Sequence, residues 1–137
     1  MRLQFTINGV PAGKRLVSPP KTNDVHVVWT GGQGAWIEIV VLTKDGKPVG
    51  AFFPPRAAND IDVAWDSEGV LTGAFWTQDG EPIGPIPLPK GTNDVHFIII
   101  PLPGGVAPTI VKAWWTWKGK QVRPIPVPKG ANDFHLW

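Results

Sequence analysis

One phrase occurs four times in this chain of 137 residues: a proline, a cation, an Asn-Asp pair and then an alternating apolar stretch. The copies read PKTNDVHVVW, PRAANDIDVAW, PKGTNDVHFII and PKGANDFHLW, and their asparagines are Asn23, Asn59, Asn93 and Asn132. A period of 34 to 39 residues points to an array of supersecondary units. A unit of that size cannot bury its own apolar face, so it must pack on its neighbours. All three histidines, His26, His96 and His135, stand three places after the Asn, and Asp62 stands there in the second copy.

Each unit divides into three pieces. The first is a strand that ends in Thr and a turn: FTING, VLTKDG, FWTQDG and WWTWKG. The threonines are Thr6, Thr43, Thr77 and Thr116, each preceded by a large apolar residue (Phe5, Leu42, Trp76, Trp115). Asn8-Gly9, Asp45-Gly46 and Asp79-Gly80 are two-residue hairpin signals, because a type I′ turn needs positive φ at both central residues; Lys118-Gly119 is a weaker version. The second piece opens as G-x-P-x-G in three copies and runs into further prolines, as in GPIPLP and RPIPVP. Proline has no backbone donor, so this piece is expected at a sheet edge or as an extended rim.

The third piece is the Asn-Asp phrase. Residues two, four and six places after the Asn are Val25, Val27 and Trp29; Ile61, Val63 and Trp65; Val95, Phe97 and Ile99; and Phe134 and Leu136. Alternate residues of a strand share a face, so these form the core side. The opposite face then carries Asp24 and His26, Asp60 and Asp62, Asp94 and His96, and Asp133 and His135, each pair about 7 Å apart along its strand.

Three strands in each of four units give about twelve strands, and no segment has a helical period. The expectation is a single all-β domain of four units (1–33, 34–66, 67–104, 105–137). They would form a pseudo-fourfold closed array, propeller-like or barrel, because closure removes exposed sheet edges. A two-sheet β-sandwich is the alternative. Sixteen Pro and sixteen Gly act here as punctuation between apolar segments, which favours short strands and tight turns. There is no Cys, hence no disulfide framework and no thiolate metal site. MRLQFTING has no apolar signal segment, and no apolar run approaches the roughly 20 residues of a membrane span. A cytoplasmic protein, or one released without a classical signal peptide, is expected.

The net charge of +2 is small and the cations are scattered, so a nucleic-acid partner is not expected. Signatures of nucleophilic, phosphate-binding and zinc-protease chemistry are absent, and enzymatic activity is not the leading expectation. The repeated polar residues are Lys21, Asn23, Asp24 and His26; Arg56, Asn59, Asp60 and Asp62; Lys90, Asn93, Asp94 and His96; and Lys129, Asn132, Asp133 and His135. Asn and Asp also hold turns by bonding nearby backbone, and lysine protects sheet edges. Together with tryptophans in every unit, these residues supply the fixed donors and acceptors that bind hydroxyl-rich ligands. Up to four related carbohydrate sites are therefore expected, with repetition providing avidity. In general design the chain is similar to the small cytoplasmic tandem-repeat β lectins of microbes and fungi. That similarity is one of architecture and carries over no site residues. Two alternatives remain: one axial transition-metal site made of His26, Asp62, His96 and His135, and a structural role in an assembly or oligomer.

Overall fold

The computed structural model describes residues 1–137. Twelve strands follow one another with no helix: β1 (Arg2–Ile7), β2 (Val10–Val17), β3 (Asp24–Thr30), β4 (Trp36–Lys44), β5 (Lys47–Phe52), β6 (Asp60–Trp65), β7 (Leu71–Gln78), β8 (Glu81–Pro85), β9 (Asp94–Pro101), β10 (Thr109–Trp117), β11 (Lys120–Ile125) and β12 (Asp133–Leu136). They form two antiparallel six-stranded sheets. Sheet I has the order β2-β1-β12-β9-β4-β5 and sheet II the order β11-β10-β3-β6-β7-β8.

The four hairpins arise as their turn residues require. Asn8, Asp45, Asp79 and Lys118 have φ of 49 to 51°, and the following glycines 81 to 87°, the pair of left-handed residues that a type I′ turn demands. Each hairpin stays in one sheet, while the third strand of its triplet crosses to the other. Thus β1-β2 lies in sheet I and β3 in sheet II, whereas β10-β11 lies in sheet II and β12 in sheet I. Both sheets are built from all four triplets, and the third strands pair with one another at the centre: β12 with β9, and β3 with β6.

The closed ring, propeller-like or barrel, therefore does not form, and the two-sheet arrangement does. The reason lies in the second strands. The proline-bearing strands β2, β5, β8 and β11 occupy all four sheet edges, where a missing donor does no harm, and they stop further pairing. The proline-alternating segments that follow turn their other residues inward. Ile86 and Ile125 are buried, and Leu88 and Val127 pack against the core at the sandwich margin.

The core holds the residues expected of the third strands, Trp29, Trp65 and Phe97 among them, together with Phe5, Leu42, Trp76 and Trp115 from the first. Trp65 meets Trp115 edge to face at 6.1 Å, and Trp29 contacts Phe97 at 4.8 Å. The Glu38 carboxylate accepts hydrogen bonds from the indoles of Trp29 and Trp36. The glycine run at 31–34 packs against the loop around Val106. Gln33 and Val106 exchange two backbone bonds there, and a Cβ on Gly105 would collide with the Ala35 carbonyl.

Candidate functional site

The central strand pairs bring the Asp and His positions of two phrases together on each outer face. In β3 and β6, His26 stands opposite Asp62, with Asp24 and Asp60 beside them. In β12 and β9, His135 stands opposite His96, with Asp133 and Asp94 beside them. Sheet II thus carries a quartet of three carboxyls and one imidazole, and sheet I a quartet of two and two. The closest contacts run across the strands rather than along them. His26 Nδ1 lies 3.0 Å from Asp60 Oδ2, His96 Nε2 lies 2.7 Å from Asp133 Oδ1, and His135 Nδ1 lies 3.6 Å from Asp94 Oδ1. Diagonal neighbours on a paired face are within reach of long side chains, so an Asp from one phrase serves the His of another.

Each quartet is flanked by residues two places before the repeated Thr. Gln4 and Val41 flank the sheet I quartet; Trp114 and Phe75 flank that of sheet II. Sequence reasoning missed these four, although their parity with the Thr was a usable signal once Thr was known to pair with Asp (Thr116 with Asp24, Thr43 with Asp94). Their effects differ. Trp114 stacks on His26 at 5.0 Å and 9° and roofs that quartet. On sheet I the two imidazoles stack on each other at 3.6 Å.

Ten buried side-chain polar atoms have no hydrogen-bond partner, and all ten belong to the quartets or their threonines. They include Oδ1 of Asp24, Asp60, Asp62, Asp94 and Asp133 and Nε2 of His96. His96 Nε2 and Asp133 Oδ1 are thus in contact with each other but hydrogen-bonded to nothing. Burial pushes the Asp24 carboxyl far above the usual carboxylate range, with its contact to the Asp62 carboxylate and the charges of Asp62 and Asp60 adding to it and Thr116 opposing. Burial pulls His26 down, but the Asp60 bond and the charges of Asp62 and Asp60 outweigh it and leave His26 raised. His135 is raised chiefly by its Asp94 contact, against burial, with the charges of Asp94 and Asp133 assisting.

The four asparagines lie outside the quartets. Asn59 Oδ1 accepts from the Asp79 backbone N–H, and its Nδ2 donates to Asp79 Oδ1. Asn93 does the same with Asp45, and Asn132 with Asn8; Asn23 accepts from Lys118 N–H only. Each therefore clamps the hairpin turn of another triplet. The cations are exposed in the crossover turns, and no Lys or Arg forms an ion pair with a quartet carboxylate. Lys90 and Lys129 precede a positive-φ glycine, whereas Lys21 itself has φ of 57°. Lys21 is thus the counterpart of Gly91 and Gly130, one place away from the other cations. The four expected axial metal ligands do not meet. His26 and Asp62 lie on the outer face of sheet II, and His96 and His135 on that of sheet I, with the hydrophobic core between them.

A trough of about 530 Å³ crosses the outer face of sheet I. Gln4, Thr6, Thr43, Asn93, Asp94 and His135 line it, and Trp137 is its one large apolar wall. Arg15 lies over the Trp137 ring at 5.3 Å. Lys21, Arg56 and Lys90 border three other clefts, and none of them lines this trough. No helix is long and apolar enough to cross a membrane. No family model, curated protein or solved structure matches this chain.

Proposed function

We propose that the chain is a binding protein for a hydroxyl-rich ligand, a glycan above all, taken up in the trough on the outer face of sheet I. One observation carries this: the trough joins one indole wall to amide, hydroxyl, carboxylate and imidazole side chains. An indole presents an apolar face to the C–H side of a sugar. Carboxylate, amide, hydroxyl and imidazole groups supply donors and acceptors for its hydroxyls, and the volume lies within the range of roughly 300–1,000 Å³ common for small-ligand sites. The four sites expected from the repeat reduce to two faces, because the phrases meet in pairs. Trp114 already occupies the imidazole on sheet II, so sheet I is the ligand face. Asn93 serves here as turn clamp and wall at once, and the exposed cations take no part.

A glycan array followed by titration of the retained sugar tests this. Trp137→Ala is expected to weaken binding by about tenfold, the worth of a lost stacking contact, and Asp94→Asn to weaken it further. Trp114→Ala should leave it intact. A folded protein that retains no glycan at millimolar concentration overturns the proposal. So does loss of binding in Trp114→Ala with retention in Trp137→Ala.

A further inference from the structure

We propose that His96, Asp133 and His135 bind one divalent transition-metal ion of the zinc class on the outer face of sheet I. Their ligand atoms lie within 4.8 Å of one another. The two imidazoles come from directly opposed residues of β9 and β12 and stack at 3.6 Å. Donors held at roughly 2.0–2.2 Å in a tetrahedron stand about 3.4 Å apart, which lies inside the 4.8 Å span of the three ligand atoms. With the strand pair fixed, the two rings turn out of their stack to aim one nitrogen each at the ion that Asp133 also ligates.

A second observation is independent of the clustering. Asp133 is 7% exposed, and its Oδ1 has no hydrogen-bond partner although it lies 2.7 Å from His96 Nε2, which also has none. Two buried polar atoms without a hydrogen bond are costly, and a cation ligated by both satisfies them. Two imidazoles and one carboxylate are borderline ligands that suit zinc, nickel, cobalt or copper. The fourth position opens to the trough that His135 lines, which provides an entry path and room for water. Asp94 Oδ1, 3.6 Å from His135 Nδ1, is placed to orient that ring, as carboxylates beside metal-bound histidines do.

The other face serves as an internal control. Asp24, His26 and Asp62 also cluster, but they offer a single imidazole. Trp114 is stacked on that ring. Binding of one ion per chain is expected, not two. The inference does not depend on the ligand proposed above, since its test contains no sugar.

Untagged chain, stripped with chelator, is titrated with zinc in competition with a chromogenic chelator, and separately with cobalt followed by visible absorption. The expected result is one ion per chain and a cobalt spectrum of tetrahedral intensity. His135→Gln and Asp133→Asn should each lower zinc affinity about a hundredfold or more, since even residues that only orient ligands are worth 10–100-fold. His26→Gln should leave affinity and stoichiometry unchanged. His135 is the most exposed of the three histidines, so its variant keeps the fold, and circular dichroism verifies this. Absence of saturable binding by the unaltered chain overturns the inference. So does zinc affinity that survives in His135→Gln or falls equally in His26→Gln.

Discussion

The asparagine clamps make a prediction that separates a structural role from a ligand role. Replacing Asn59 with Ala removes two side-chain bonds, one of 3.0 Å from the Asp79 backbone and one of 2.9 Å to its carboxylate. Asn93 and Asn132 lose two each in the same way. Asn23 loses one of 3.2 Å, because Lys118 has no side-chain oxygen to receive its amide. At a net worth of about 0.5–1.5 kcal/mol per bond, the three double clamps should cost about 1–3 kcal/mol and Asn23→Ala about 0.5–1.5 kcal/mol. With a urea slope of about 1.5 kcal/mol per molar, within the usual range for small proteins, a mid-range cost of about 2 kcal/mol lowers the midpoint by about 1.3 M. The corresponding shift for Asn23→Ala is about 0.7 M. Equilibrium urea unfolding followed by tryptophan fluorescence reads both. Equal shifts in all four variants, or the largest shift in Asn23→Ala, would refute the clamp account. Any glycan assay on these variants must be normalised to the folded fraction.

Replacing Trp65, 5% exposed and edge-on to Trp115, with Ala should cost about 3–5 kcal/mol; a urea midpoint within about 0.5 M of the parent, about 0.75 kcal/mol at the same slope, would show the face assignment to be wrong. Stability should also fall as pH rises from about 4 to 9. Asp24 and Glu38 are both raised, so the native state keeps protons that the unfolded chain releases from pH ~4 upward. The raised His26 and His135 contribute stability below about pH 6.5 that is lost as pH climbs through their folded values. Only the N-terminal amine, lowered by burial and by Arg2, works in the opposite sense. Melting temperatures at pH 5 and pH 8.5 check the slope, which Asp24→Asn should flatten; a higher melting temperature at pH 8.5 would contradict it.

Strand number, turn positions, edge placement of the proline strands and the core face were legible because each is a local rule. Asn-Gly and Asp-Gly fix hairpins, proline cannot enter a sheet interior, and side chains alternate along a strand. The closed ring was the wrong global solution because the crossing of each third strand to the opposite sheet is encoded in no single residue. It follows from how four triplets share two sheets around one core. For the same reason the quartets were only half visible. Asp and His could be placed on one face, but the Asp of β6 bonding the His of β3 needs the pairing of those strands. The Asn residues were legible as turn formers; that each clamps a turn up to 124 residues away was not. Lys21 was aligned with the other cations by letter, whereas its positive φ aligns it with the glycines.

The two faces share one frame and differ at few positions, so the metal site should be transferable. On sheet II the residue opposite His26 is Asp62, and Trp114 occupies the flank that Gln4 occupies on sheet I. Asp62→His supplies the missing imidazole, directly opposed as His96 and His135 are. Trp114→Gln removes the ring stacked on His26 and opens the quartet to solvent. Asp24, whose neutral carboxyl is held by burial and by Asp62, loses that like-charged neighbour and becomes free to ionise towards a cation, because an approaching positive charge favours the charged form. The double variant should therefore bind two zinc ions per chain where the parent binds one. The second ion should be lost on Asp24→Asn and the first on Asp133→Asn. A double variant that folds, keeps its first ion and gains no second would mean that two opposed imidazoles and a carboxylate on this frame are not sufficient. The site on sheet I would then depend on something peculiar to its own surroundings, with Asp94 and the trough the first places to look.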